Sequence, residues 1–253
     1  MRSRLDLEIA RRGLAESREG AQRLIMAGRV RVNSRPAGKP DLRVDESAEI
    51  EIIGSANEYA SRGGYKLAAA LDEFAIAVSG RDALDVGAST GGFTDVLLRR
   101  GAARVIALDV GYGQIVDRLR RDPRVIVMDR TNIRRVEPTS LPYRPNLVAI
   151  DASFISLKLV LPAVVALAAT PADIVALVKP QFEVGKGKVG KGGVVRDENL
   201  RTQALAEVVA FARSIGLDHE GGPAGGGTIE SPIAGAAGNR EFLAHLRWTG
   251  GRD

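Results

Sequence analysis

Two lysines and two carboxylates stand where the local pattern of this chain changes, and their types suit proton handling. Lys66 lies in Ser61-Arg62-Gly63-Gly64-Tyr65-Lys66-Leu67 and Asp151 in Asp151-Ala152-Ser153-Phe154-Ile155-Ser156-Leu157. Lys179 lies in Leu177-Val178-Lys179-Pro180-Gln181-Phe182-Glu183 and Glu241 in Gly238-Asn239-Arg240-Glu241-Phe242-Leu243. Gathered in one crevice, such a set can activate a sugar hydroxyl. That hydroxyl is a poor nucleophile, and its proton has to leave as it attacks. An amine serves as base only where burial or a neighbouring ammonium lowers its pKa. Carboxylates hold amine and hydroxyl in line, and nearby positive charge steadies the alkoxide. Taken singly, each residue has a plainer reading: a helix surface for Lys66, an exposed strand end for Lys179, a strand cap for Glu241.

The elements that must position them are legible as apolar runs. Residues 83–86 run into Asp85-Val86-Gly87-Ala88-Ser89-Thr90-Gly91-Gly92-Phe93-Thr94-Asp95, a glycine turn followed by a helical stretch over 93–100. A strand ending in such a turn presents backbone N–H groups and a helix N-terminus to a nucleoside-bearing cofactor. Asp85, Gly87 and Ser89 are therefore candidate contacts. The spacing fits neither a dinucleotide fingerprint nor a P-loop. Later runs end at Asp109, Asp129, Asp151 and Lys179. Runs rich in Val and Ile without alternation suit strands covered on both faces of a parallel sheet. Helical stretches at 114–121, 157–168 and 198–214 complete an alternating β/α order. All these polar ends then line one edge, where Asp109 suits ribose hydroxyls and Asp129 an adenine amino group. Residues 241–248 alternate like an edge strand.

The 253 residues carry a net charge of +5, no cysteine and two histidines. Disulfides and thiolate metal sites are excluded, and no metal is expected. No apolar run approaches the roughly 20 residues of a spanning helix, and the first residues lack a secretory pattern. A soluble, cytoplasmic protein without membrane contact is expected. The charge is uneven: residues 1–39 hold ten Lys/Arg against four Asp/Glu. Further basic clusters cover Arg118, Arg120, Arg121, Arg124, Arg130, Arg134 and Arg135, then Lys179, Lys186, Lys188, Lys191 and Arg196. Such clusters point to a polyanionic partner.

Residues 4–12 and 18–27 read as short helices, with Ser17 as N-cap and Gly28 as stop. Strands follow at 29–33 and 48–52. This unit, residues 1–54, resembles the S4 RNA-binding module, and the resemblance implies that Arg4, Arg11, Arg18, Arg23 and Arg29 meet folded RNA through its shape and phosphates. Residues 55–60 read as a linker, 61–253 as the second domain, and the glycine-rich stretch 221–227 as a loop.

The motifs quoted above, with Asp109-Val110-Gly111-Tyr112-Gly113-Gln114, Arg130-Thr131-Asn132-Ile133-Arg134 and Val178-Lys179-Pro180-Gln181-Phe182-Glu183-Val184-Gly185, resemble the TlyA family over about residues 2–248. The resemblance implies an α/β chain: a Rossmann-like, FtsJ-like methyltransferase domain after a small S4-like domain. It implies S-adenosylmethionine as methyl donor and the cytidine 2′-OH of ribosomal RNA, in ribosomal subunits or their precursors, as acceptor. The family's Lys-Asp-Lys-Glu tetrad falls on Lys66, Asp151, Lys179 and Glu241. Its cofactor contacts fall on Gly91, Phe93, Asp109, Asp129 and Asp151. Tyr112 and Phe154 have ring faces for cofactor or base, or a core or rim role. Two rival readings are a membrane-active hemolysin, which needs a lipid-inserting element, and a noncatalytic ribosome-binding factor.

Overall fold

The structure, a computed structural model, describes residues 2–15, 17–26, 30–52, 59–185, 187–219, 227–235 and 237–250. The chain divides into two compact units, Met1–Glu58 and Tyr59–Asp253. The first runs β1 (Arg2–Arg4), α1 (Leu5–Arg11), α2 (Arg18–Met26), β2 (Val30–Val32), β3 (Arg35–Pro36), β4 (Arg43–Asp45) and β5 (Ile50–Ile52). Leu5 and Ile9 of α1 pack with Ala21 and Ile25 of α2, and Val30 and Val44 join them. Ser17 caps α2: its Oγ accepts from Gly20 N at 3.0 Å. The two expected strands pair antiparallel, Val30 opposite Ile52 and Val32 opposite Ile50. The short strands β1, β3 and β4 were not foreseen. Gly28, Arg29 and residues 53–58 lie outside the described residues.

The second unit begins earlier than the sequence pattern implies. Tyr59 is buried, and Ala60 N donates to the Asp95 carboxylate at 2.8 Å, so these residues are not linker. Its order is α3 (Gly63–Glu73), β6 (Asp82–Val86), α4 (Gly92–Arg99), β7 (Arg104–Leu108), α5 (Asp117–Arg120), β8 (Val125–Met128), β9 (Leu147–Ile150), α6 (Leu157–Leu167), β10 (Ala172–Val178), α7 (Pro180–Glu183), α8 (Glu198–Ser214), β11 (Leu217–His219), β12 (Thr228–Glu230) and β13 (Phe242–Trp248).

The sheet order is β11-β13-β10-β9-β6-β7-β8, with β12 also on β13. Strands β6 to β10 pair parallel, and β13 runs antiparallel to β10. Alternate strand residues enter two cores. Ala83, Val105, Leu147 and Val175 face Leu67, Leu71, Val96 and Leu97 of α3 and α4. Leu84, Ile106, Val148 and Ile174 face Leu161, Val164 and Val208 of α6 and α8. Covering both faces explains the unbroken apolar runs; each Val, Leu or Ile side chain among them contributes about 1.5–3 kcal/mol on burial.

Two expectations need correction. Strand β13 is interior: β10 flanks one side and β11 and β12 the other. Its polar positions do not form a solvent face: His245 is buried, stacked on Phe74 and bonded to Asp173, and Arg247 is the exposed residue of the strand. The helix expected at 114–121 is a single turn, since residues 110–116, with Gly111 and Gly113, form a loop.

The chain leaves β6 to build β7 and β8 on one side, then returns to place β9 and β10 on the other. At such a reversal, a crevice opens beyond the carboxyl ends of the strands. Because β13 is antiparallel, its amino end, Glu241, reaches the same edge.

Candidate active site

The turn after β6 is held open by its glycines. Gly87 has φ +87°, and a Cβ there would lie 2.6 Å from the main-chain oxygen of Asp151. Gly91, at φ +94°, is the N-cap of α4. Both positions admit glycine readily and other residues only under strain. Ser89, exposed at the tip, donates its N–H to Asp109 at 2.8 Å. Asp109 also accepts from Gly111 N at 2.7 Å. Asp129 accepts from Gly113 N at 3.2 Å and from Arg120 at 2.9 Å, and the Arg120 guanidinium holds its carboxyl below the usual range. These acids thus shape the rim backbone: each Asp109 oxygen accepts one of these bonds and keeps a second lone pair, while both bonds to Asp129 fall on its Oδ2.

Asp85 sits elsewhere than expected. Asp85 has no exposed surface; its Oδ2 accepts from Thr94 N at 2.9 Å and Thr94 Oγ1 at 2.6 Å, and its Oδ1 has no partner. Burial pushes its carboxyl up to about 7. It braces the first turn of α4 from below the crevice rather than lining it. Phe93 packs in the core with α3.

Lys66, Asp151, Lys179 and Glu241 come together at the same edge. Lys66 Nζ donates to Glu241 Oε2 at 2.6 Å, bridging 175 positions of sequence. Lys179 Nζ lies 2.6 Å from Asp151 Oδ1 and donates to Ser153 Oγ at 2.7 Å. Each lysine is 8% exposed and Glu241 2%. Burial pushes the Asp151 carboxyl up; Lys179 and then Lys66 oppose the shift, and Glu241 adds to it. One carboxylate therefore feels all three partners. Glu183 braces the arrangement: it accepts from Ser156 Oγ at 2.6 Å and Leu157 N at 2.8 Å, tying the start of α6 to the segment after Lys179. Two amines beside two acids at this edge can take a proton from a hydroxyl and stabilise the oxyanion left behind.

The FtsJ-like methyltransferase model matches residues 59–248, and the S4 domain model matches residues 3–50. The 16S/23S rRNA (cytidine-2'-O)-methyltransferase TlyA of Mycobacterium tuberculosis is 51% identical over 97% of this chain and 90% of its own length. Hemolysin A of Brachyspira hyodysenteriae is 39% identical over 96% of this chain and 99% of its own. The chain belongs to the TlyA family of FtsJ-like methyltransferases. A solved hemolysin-named protein of Streptococcus thermophilus is 43% identical, with TM-score 0.77 over 98% of this chain and 89% of that one. An N1-methyltransferase of Burkholderia thailandensis, 16% identical with TM-score 0.52 over 77% of this chain and 80% of that one, shares the fold.

Other candidates of this TlyA-family chain are placed less simply. Arg4 and Arg18 both bond the buried Asp6 carboxylate at 3.0 Å, and Arg11 bonds the buried Glu8 at 2.6 Å. Their guanidinium groups are anchored to their own unit yet remain partly exposed. The side chain of Arg23 and the whole of Arg29 lie outside the described residues. Much of the second basic cluster is neutralised: Arg118 pairs with Asp95, Arg120 with Asp129, Arg121 with Asp117 and Arg124 with Asp122. In the third, Lys188, Lys191 and Arg196 are exposed and Lys186 lies outside the described residues. Tyr112 is 68% and Phe154 91% exposed, which removes the core reading for both. Sequence reasoning missed Ser153 and Gln181, although both lie in motifs it singled out. Gln181 Nε2 donates to Glu241 Oε1 at 3.3 Å.

Proposed function

We propose that this protein methylates the 2′-OH of cytidine in ribosomal RNA, with S-adenosylmethionine as donor and Lys179 assisting removal of the hydroxyl proton. The observation that carries the reading is the pairing of Lys179 with Asp151 and Ser153 beside the Lys66–Glu241 pair. The names of the curated relatives favour the same acceptor. The rim suits the donor chemically: Asp109 and Asp129 are acceptors for ribose hydroxyls and an adenine amino group, and the acidic edge complements a sulfonium. When bound, that donor supplies an electrophilic methyl group.

The chain's own residues do the rest. Asp151 and Ser153 fix the Lys179 amine at the crevice, where its lone pair, once the amine is neutral, takes the ribose proton. Lys66, held by Glu241, supplies positive charge to the developing alkoxide. The exposed rings of Phe154 and Tyr112 give the target base faces to stack on. In the first unit, Arg4, Arg11 and Arg18 present partly exposed guanidinium groups to RNA phosphates. For the competing reading as a membrane-active protein, no helix among the described residues is long and apolar enough to cross a membrane.

The test is chemical. Ribosomal subunits lacking the modification are incubated with the protein and labelled donor, and the RNA is digested to nucleosides. The reading expects label in 2′-O-methylcytidine; label on a base, or none, contradicts it.

A further inference from the structure

Asn239 is one of the few polar side chains buried in the second unit, at 2% exposure, and the chemistry above does not use it. Both ends of its amide are engaged. Oδ1 accepts from Val195 N at 2.9 Å, and Nδ2 donates to the Gly193 carbonyl at 2.8 Å. Its main-chain oxygen accepts from Gly235 N at 2.9 Å, and Gly238 N donates back to the Gly235 carbonyl at 2.8 Å. Gly235 in turn lies directly against the Glu241 carboxylate: a Cβ built on it would overlap Oε1. The same Oε1 accepts from Gln181, while Oε2 takes the Lys66 ammonium at 2.6 Å. A chain of direct contacts therefore runs from the turn around Gly193 through Asn239 and Gly235 to Glu241 and Lys66.

We propose that Asn239 is a positioning residue for methyl transfer: by clamping Gly235 against Glu241, it sets the direction of that carboxylate and so the place of the Lys66 ammonium. The inference rests on the proposed function. The geometry requires an asparagine. An acceptor must meet Val195 N and a donor must meet the Gly193 carbonyl, both in a buried place where an unmet group is costly. Aspartate satisfies the first and opposes the second. Alanine satisfies neither and frees Gly235 to withdraw. A carboxylate that then drifts by an ångström carries its ammonium away from the alkoxide, a displacement of the size that lowers turnover about a hundredfold.

The experiment measures kcat, KM for ribosomal RNA and donor affinity for the full-length wild type and for Asn239→Ala, Asn239→Asp and Gly235→Ala. Donor titration counts the folded, binding-competent fraction of each preparation. The proposal expects kcat to fall by about 10–100-fold in Asn239→Ala and less in Asn239→Asp, with KM and donor affinity within about threefold of wild type. Gly235→Ala leaves Asn239 and its turn intact and pushes on Glu241 from the other side. Gly235 has no positive φ, so alanine suits its backbone, and the same loss of kcat is expected. A merely structural role for Asn239 would leave turnover per folded molecule unchanged. Turnover within about twofold of wild type in Asn239→Ala, or a loss confined to KM, overturns the proposal. If Asn239→Ala does not fold, undiminished kcat in Gly235→Ala overturns it alone. Absence of methyl transfer by the wild type sinks the proposed function, and this inference with it, and is told apart by that measurement.

Discussion

In the first unit the buried acids Asp6 and Glu8 are gripped by arginines; in the second, Asp151 and Glu241 are gripped by lysines. Asp6 receives Arg4, Arg18 and Gln22, and Glu8 receives Arg11, Arg12 and Ser3. Several donors share each acid. Hydrogen bonds from Arg4 hold the Asp6 carboxyl far below the ordinary range, and those from Arg11, then Arg12, hold Glu8 at about 2. Around Asp151 the balance reverses, and burial outweighs Lys179 and pushes the carboxyl up. A guanidinium is a rigid fork that stays protonated; an amine is a point charge that can give up its proton. On the proposed function, the first arrangement fixes a surface for phosphates. On the same reading, the second, with one ammonium on each acid, keeps a proton exchangeable.

That contrast sets the expected effects. Lys66→Met leaves Glu241 buried without its ammonium, so it costs about 3–5 kcal/mol of stability and lowers turnover by about two to three orders of magnitude. Urea unfolding followed through Trp248, the one tryptophan, reads the first quantity in the correct unit. The next effect is in pH. Glu8, ordinarily near 4.5 and held at about 2, stabilises the first unit above 4.5 and loses that contribution as pH falls toward 2. Asp85 behaves oppositely. Its carboxyl is raised from 3.8 to about 7, so the folded second unit holds a proton that the unfolded chain has lost. Stability from this group declines as pH rises between those values. Amide exchange in residues 2–52 and Trp248 unfolding, stepped through pH, should show slopes of opposite sign; Asp85→Asn should flatten the second. The smallest effect is expected of Arg11→Ala. Arg12 and Ser3 still hold Glu8, so stability changes by about 0.5 kcal/mol, while the salt slope of RNA binding falls by about one.

The parallel strands were legible because their apolar runs lie between two helical layers, which forbids alternation. Strand β13 misled because one of its polar positions, His245, is buried against Phe74 and bonded to Asp173, and pattern alone does not tell a buried polar residue from an exposed one. The tetrad was legible through motif resemblance and strand-end position, since parallel strands deliver their terminal residues to one edge. Asp85 was misplaced because its neighbour along the chain, Gly87, does reach the rim; one turn of backbone separates a brace from a lining residue. The pairings of Arg118, Arg120 and Arg124 were invisible because composition counts charge without saying who sits opposite. Asn239 stood in plain view before Glu241, but its role depends on Val195 and Gly193, 44 and 46 positions away.

The most direct test of the account compares wild type with Lys179→Ala and Lys179→Arg in single-turnover methylation of ribosomal RNA, with protein and donor in excess. If Lys179 handles the ribose proton, alanine lowers the rate by about 10²–10⁴-fold, and arginine, which stays protonated, does not restore it, while RNA affinity is retained in both. A rate in Lys179→Arg close to that of wild type would mean that charge alone is needed at this position, and the lysine would lose its assigned part in the reaction.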